Sequence, residues 1–290
     1  MASVASRVQG RADGRIEVRP TSDRGLLRAF LDSDPLFAAY AICDLDEREF
    51  ARTRWGVAFD GERLLAVALE YTGSAPQPLF VMGEPDGVIA VLRDVIRPRA
   101  AYLAALPDNL EAAGRIYRIA PGPQMVRMWV DRASFRPATG ATARLLPSEI
   151  GDLNRLYNLG FTTWLPSEAV ANGVYHGIRL GGRLVAAAGT HVISPEARMA
   201  VVGNVMTHES HRNRGFAKIT TSAVTAELLR SCDRIVLNVR ADNPPAIAAY
   251  VALGYREHVR FEERLVHRRS SGWDSIVAPL RRFLQPPRES

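Results

Sequence analysis

Apolar residues fall along this chain in short runs broken by Gly, Pro and Asp, and their spacing switches repeatedly between the period of a strand and that of a helix. In the first half, residues 26–31 and 36–45 have helical spacing, 55–60 and 63–71 form a hairpin around Gly61, and 78–83 reads as a strand. A helix over 88–96, a strand over 100–106, a helix over 110–119 and a strand over 125–131 complete the series. The second half echoes that order. Residues 172–178 and 183–191 read as strands around Gly181-Gly182, 199–206 as an apolar strand, and 218–230 as a long helix. Residues 234–239 have the uninterrupted apolar character of a strand buried in a parallel sheet. Asn243 then caps a further helix with Pro244 at its first position, and Gly254 ends it in a left-handed turn.

Between the strand 199–206 and the helix that follows lies Arg212-Asn213-Arg214-Gly215-Phe216-Ala217-Lys218. A turn that opens a helix aims several unpaired backbone N–H groups, and the positive end of the helix dipole, at one point. Gly215 lets an anion approach the backbone, Ala217 keeps the next position small, and Arg212, Arg214 and Lys218 add charge. Such a turn suits a phosphate group. Tyr250 lies seven residues after Asn243, close to two full helical turns, so both occupy nearly one face of the last helix.

With both motifs in this order, the chain resembles the GNAT superfamily of N-acetyltransferases over about residues 139–268. The family's phosphate-turn pattern is Arg or Gln, two residues, Gly, one residue, then Gly or Ala, which Arg212, Gly215 and Ala217 fill. Gly203-Asn204-Val205-Met206-Thr207 precedes it, and Asn243 to Tyr250 with Leu253-Gly254-Tyr255 follow. The resemblance implies a cleft between splayed strands that admits acetyl-CoA. Main-chain groups of Val205, Met206 and Thr207 would pair with the pantetheine, residues Arg212, Asn213, Arg214, Gly215, Phe216, Ala217 and Lys218 would hold the pyrophosphate, and Asn243 would complete the cofactor site. Tyr250 would serve the departing thiolate as general acid, since a phenol near pKa 10 can donate to a thiolate near 8.5.

The attacking amine must be neutral, so some group has to take a proton. Many family members carry a Glu on the strand before the phosphate turn, whereas this chain has Ala200, Val201, Val202 and Asn204 there. Glu196, His191, Asn204 as a holder of water, and the pair His208 and Glu209 are all near that strand in sequence, and no base is assigned among them. His208-Glu209-Ser210-His211 lacks the spacing that puts two imidazoles on one helical face, so no metal is expected.

The composition changes this picture little. With 290 residues, 47% of them hydrophobic and 23% charged, the chain has enough apolar surface for two cores. A net charge of +6 is carried mainly by Arg scattered among Asp and Glu, without zinc-finger, basic-zipper or RNA-binding patterns, so nucleic acid is not an expected partner. The first sixteen residues lack an apolar stretch of signal-peptide kind and no run is long enough for a membrane span, which makes a cytoplasmic location the expectation. Cys43 and Cys232 form no disulfide framework and stand in no nucleophile motif.

The expected fold is therefore α/β, two tandem GNAT-like domains, each a mixed, mostly antiparallel sheet flanked by helices. The expected division is a flexible N-terminus at 1–19, a degenerate GNAT-like domain at 20–138, the acetyltransferase domain at 139–270 and an amphipathic tail at 271–290. In the first domain the phosphate turn would fall at Gly83-Glu84-Pro85-Asp86-Gly87, where two carboxylates and a proline oppose a pyrophosphate. The expected activity is direct transfer of an acetyl group from acetyl-CoA to a primary amine in a ternary complex, with homodimerisation left open. The competing expectation is a CoA-binding sensor or scaffold without turnover.

Overall fold

A computed structural model of the protein describes residues 16–73, 76–157 and 165–269; the N-terminal stretch up to 15 and the tail expected at 271–290 lie outside the described residues. The first half runs β1 (Glu17–Thr21), α1 (Arg24–Leu31), α2 (Ala39–Cys43), α3 (Glu47–Phe50), β2 (Thr53–Asp60), β3 (Arg63–Tyr71), β4 (Gln77–Gly83), α4 (Pro85–Asp94), β5 (Ala100–Ala105), α5 (Pro107–Gly114), β6 (Tyr117–Ile119) and β7 (Gln124–Val130). The second runs β8 (Ala143–Arg144), α6 (Ile150–Tyr157), α7 (Ser167–Asn172), β9 (His176–Leu180), β10 (Arg183–Ser194), β11 (Met199–Thr207), α8 (Phe216–Leu228), β12 (Arg234–Arg240), α9 (Pro244–Ala252) and β13 (Arg256–Arg268).

The element order follows the apolar pattern with corrections in both halves: β1 takes up residues 17–19 of the N-terminus expected to be flexible, and the strand expected over 172–178 begins only at His176, because Asn172 still belongs to α7. The helix expected over 110–119 starts earlier, because Pro107 pre-sets the first helical position, and stops at Gly114. Residues 117–119 leave it to pair with β13 as β6. The helix expected over 36–45 shrinks to α2, with Asp34 accepting from the Phe37 N–H in the turn before it.

The thirteen strands of the described residues join one sheet, in the order β1-β2-β3-β4-β5-β13-β7-β12-β11-β10-β9-β8 with β6 beside β13. Both halves are mixed but mostly antiparallel, each holding a single parallel pair, β4 with β5 and β11 with β12. The halves exchange their last strands. β7, from before the expected 138/139 division, pairs with β12, and β13, from after it, pairs with β5. β7 and β13 are also partners of each other, so the exchange closes the seam with main-chain hydrogen bonds.

Arg127 on β7 stands at that seam opposite Asn238 of β12 and is only 2% exposed. Its guanidinium donates to Asn238 Oδ1 at 3.0 Å, to the Leu36 carbonyl at 3.3 Å and to the Phe37 carbonyl, and lies over the rings of Phe37, Tyr40 and Phe261. These bonds satisfy a buried cation and tie the chain entering α2 to the second half's sheet. Ala39 and Cys43 of α2 pack with Met199, Val201 and Val236 on one sheet face. On the other face α8 and α9 bury Val224, Leu228, Tyr250 and Leu253 against Val202, Ile235, Leu237 and Val239. Gly254 has φ +91°, and a Cβ there would fall 1.9 Å from the Ser134 carbonyl, so the link between halves passes directly under the end of α9.

Candidate active site

The parallel pair of the second half unzips where the site begins. Registered pairing of β11 with β12 runs from Met199 opposite Arg234 to Val202 opposite Leu237 and goes no further. Past that point Asn204 adopts φ +52° at an irregularity in the β10–β11 ladder, and the Tyr157 hydroxyl donates to its carbonyl at 2.6 Å. Val205, Met206 and Thr207 follow, half-buried; Met206 and Thr207 are paired with β10, Val205 falls in the irregularity, and none of the three is paired with β12. Their main chain borders a wedge open to an extended ligand, as a strand edge does.

Residues 208–215 connect β11 to α8. Arg212 is extended, Asn213 and Gly215 are left-handed at φ +61° and +78°, and Gly215 caps α8. The first amide of the helix to return a main-chain bond is Ile219, to Gly215, which leaves the N–H groups of Phe216, Ala217 and Lys218 at the open end. Arg212, Asn213, Arg214 and Gly215 are exposed, and nothing lies within 4 Å of where a Gly215 Cβ would be. Arg214 is held over the Phe216 ring at 4.8 Å and donates to His211 Nδ1 at 3.1 Å. The result is a preformed, cationic turn at a helix N-terminus.

The corresponding place in the first half is built differently. A single residue, Glu84, separates β4 from α4, and Pro85 brings no N–H to the first helical position. Glu84 is paired with Arg63 at 2.5 Å. Asn109 bridges across the mouth to the Gly83 carbonyl at 3.2 Å. There is no loop in which an anion could be cradled.

Asn243 caps α9, its Oδ1 accepting from the Ala246 N–H at 3.3 Å. Tyr250 on that helix is 6% exposed, with its ring centroid 6.0 Å from that of Tyr255 and its side chain in the cluster that includes Val202, Val205 and Val239. Tyr255 spends its hydroxyl on Thr225 at 2.7 Å, whereas no described residue hydrogen-bonds that of Tyr250. Burial pushes the Tyr250 phenol up to about 12.

On the opposite face a polar chain crosses between the halves. Tyr40 of α2 makes a 2.5 Å hydrogen bond to His191 Nδ1, and His191 Nε2 lies 3.3 Å from Asn204 Oδ1. Asn204 Nδ2 donates to Tyr175 Oη at 3.0 Å, which donates to the Thr190 carbonyl at 2.9 Å. The imidazole sits flat over Gly203, where any Cβ would meet Nε2 at 2.2 Å. His191 is exposed at the surface, and the desolvation its protein neighbours impose holds its pKa below the ordinary value, against the opposing effect of the hydrogen bond to Asn204. Asp44, one turn beyond Tyr40, has no hydrogen-bond partner among the described residues; burial, then Glu49 and Asp46, raise its carboxyl to about 8.

Of the other groups near this strand in sequence, Glu196 forms an ion pair with Arg24 at 2.9 Å, and His208 accepts from the Ser210 amide and hydroxyl. Both are spent on local structure. Cys43 and Cys232 are buried free thiols pushed up by burial. Among the described residues no three His, Cys, Asp or Glu side chains cluster as metal ligands, and no helix is long and apolar enough to cross a membrane. A hollow of about 1130 Å³ between β1 and α4, bordered by Glu17, Phe59, Asp86 and Arg93, shares no residue with the site.

Tyr40 could not be found from the sequence, since it sits 151 residues from His191 and on an element with no motif of its own. His191, Asn204 and Tyr250 could be nominated, but not their division between the two faces of the sheet.

Residues 175–265 match the family model described as FR47-like protein. No curated protein sequence matches the chain. Among solved structures, a Drosophila melanogaster protein aligns with a TM-score of 0.64 and 14% identity over 87% of this chain and 98% of its own. A GCN5-related N-acetyltransferase from Sphaerobacter thermophilus aligns with a TM-score of 0.59 and 13% identity, covering 89% and 96%. A tandem GNAT protein from the clavulanic acid biosynthesis pathway aligns with a TM-score of 0.53 and 15% identity, covering 89% and 100%. At these identities the likeness is one of fold, and it spans both halves.

Proposed function

We propose that this chain, whose fold is that of a tandem GNAT N-acetyltransferase, moves an acetyl group from acetyl-CoA to an amine in its second half. The observation that carries this reading is the open turn at residues 212–218, with three free helix N–H groups, beside a parallel strand pair that stops at Val202 and Leu237. A diphosphate suits the turn, because main-chain N–H groups and the helix dipole supply fixed positive potential without reorganisation. The cradle remains open at Gly215, where a side chain would intrude.

Main-chain groups of Val205, Met206 and Thr207 would bind the pantetheine as a neighbouring strand would. Arg212, Asn213, Arg214, Gly215, Phe216, Ala217 and Lys218 would hold the pyrophosphate, and Asn243 Nδ2, free while its Oδ1 caps α9, would add a donor. Tyr250 would meet the leaving sulfur. Its phenol stays protonated throughout the working pH range and donates a hydrogen bond to the developing thiolate. Attack by the bound amine on the thioester then needs no covalent enzyme intermediate, and the two buried thiols are poor candidates for one.

Acetyl-CoA is expected to raise the melting temperature, as a ligand of the native state does. No shift at millimolar acetyl-CoA would sink the proposal. Release of CoA thiol across a panel of primary amines then separates an enzyme from a CoA-binding sensor, which would show the shift without the release.

A further inference from the structure

We infer that Tyr40 and His191, one from each half, form a relay that takes the proton from the attacking amine on the sheet face opposite Tyr250. The inference rests on the acyl-transfer reading and deepens it, because that reading leaves the amine's proton without a destination.

Position is the first support. Gly203, under the His191 ring, is the residue after the last β11–β12 pair, so the imidazole lies at the mouth of the splay. Val201 packs with Tyr40 and α2, and Val202 packs with Tyr250 and α9. Successive strand residues thus face a phenol from each side, and a thioester lodged past Val202 would have Tyr250 on one side and the Tyr40–His191 pair on the other.

Hydrogen-bond direction is the second. Asn204 Nδ2 is committed to Tyr175 Oη, so its Oδ1 must accept, and His191 Nε2 must carry the hydrogen. Nδ1 is then the bare nitrogen, and Tyr40 must donate to it. Every hydrogen in the chain from Tyr40 to the Thr190 carbonyl has one acceptor, with the single basic lone pair of the imidazole turned toward Tyr40. Tyr40 is half-buried, and its oxygen has donated its one hydrogen to His191, so its lone pairs are left to accept.

The step balances. As the amine nitrogen bonds to the thioester carbon, its N–H electron pair stays on nitrogen and the proton passes to Tyr40 Oη, while the proton already on Tyr40 moves to His191 Nδ1. The C–S bond breaks toward sulfur, leaving a thiolate beside Tyr250, an amide product and an imidazolium that donates to Asn204 and returns its proton to solvent. Around Tyr40 the charged and titratable groups are Arg127 from β7, Glu263 from β13, and Cys43 and Asp44 from α2 and its end. Burial holds the phenol well above its ordinary range, so it stays a donor. His191 is held below its ordinary value, so it is neutral and basic at pH 7.

The test uses the full chain with Tyr40→Phe, His191→Gln and the double variant. The probe is acetyl-CoA with the fastest amine of the panel, or water as acceptor if none is turned over. Each single variant should lower kcat about 100-fold or more, the range of a lost general base. The double should be no worse than either single, because the two act as one unit. Thermal shift by acetyl-CoA should persist in all three. Long-range ¹H–¹⁵N spectra of the wild type should show His191 with its proton on Nε2, and the acid limb of kcat/KM should follow the pKa those spectra give. Turnover by either variant within about threefold of the wild type, or a proton on Nδ1, overturns the relay and leaves acyl transfer standing. No thiol release by the wild type with amine or water overturns acyl transfer and the relay together.

Discussion

Tyr250→Phe tests what kind of help the departing sulfur would receive in the proposed acyl transfer. Burial lifts this phenol to about 12, whereas a thiol of ordinary kind titrates near 8.5, a gap worth about 5 kcal/mol against complete proton transfer. Tyr250 should therefore act by hydrogen bonding to sulfur as charge develops. A hydrogen bond to a charged group contributes about 1.5–3 kcal/mol, so its loss should lower kcat roughly 10- to 150-fold. The assay is thiol release at saturating amine, with acetyl-CoA affinity measured separately by titration. Because the bond strengthens only as charge appears on sulfur, kcat and kcat/KM should fall together while the dissociation constant changes by less than about twofold. Folding should be little affected, since Phe keeps the ring packed beside Tyr255 and no hydroxyl bond to the described residues is lost. Unchanged kcat would remove Tyr250 from the chemistry. An alkaline limb below about pH 10 that disappears in the variant would show a far more acidic phenol and refute the hydrogen-bond argument.

Gly215→Glu should weaken acetyl-CoA binding at least about tenfold by calorimetry, since it forces a side chain into φ +78° and sets a carboxylate at the anion cradle; wild-type affinity would place the diphosphate elsewhere. Asp44 has a folded-state pKa raised to about 8, so the stability tied to its neutral form is fully present below pH 4 and is lost as pH rises toward 8. Asp44→Asn should accordingly stabilise the protein at pH 8, on the order of 2 kcal/mol in denaturant titrations, with little effect at pH 4; an equal gain at both would mean the carboxyl is not the cause. Arg127→Met should cost about 3–5 kcal/mol, because it leaves the Leu36 and Phe37 carbonyls and Asn238 Oδ1 without their donor; a loss under about 1 kcal/mol would show that the seam does not depend on it.

Much of the second half was readable because its signals are local. Asn243, Pro244 and Gly254 mark the ends of α9 through the backbone angles they favour, and Arg212 to Lys218 advertise a turn by composition. The long helix at 110–119 was misread because its spacing is amphipathic to the end, while a tertiary partner, β13, claims residues 117–119 as a strand. The strand exchange was not legible. The apolar run at 125–131 says that a strand exists, yet nothing in a run of Val, Met and Trp says which half's sheet it will enter. The left-handed Asn204 was hidden for a similar reason, since Asn tolerates that conformation but does not demand it.

The exchanged strands also explain how a distant phenol comes to the splay at all. α2 is five residues long, too short to hold itself as a helix, so its position must be set by what it lies on. It lies on the second half's sheet, with Ala39 and Cys43 against Val201 and Val236, and its entry is fixed by the carbonyls of Leu36 and Phe37 on Arg127. Arg127 can reach them because β7 was handed across to pair with β12, and it is oriented there by Asn238, whose Nδ2 in turn donates to Glu263 of β13 at 3.1 Å. A strand from the first half thus carries the cation, a strand from the second carries the carboxylate, and the helix they anchor brings Tyr40 to His191. Two separately completed sheets would each keep their own last strand and could not build this contact. The half that has Glu84 and Pro85 where the other has an open turn still supplies Tyr40 to the splay of β11 and β12.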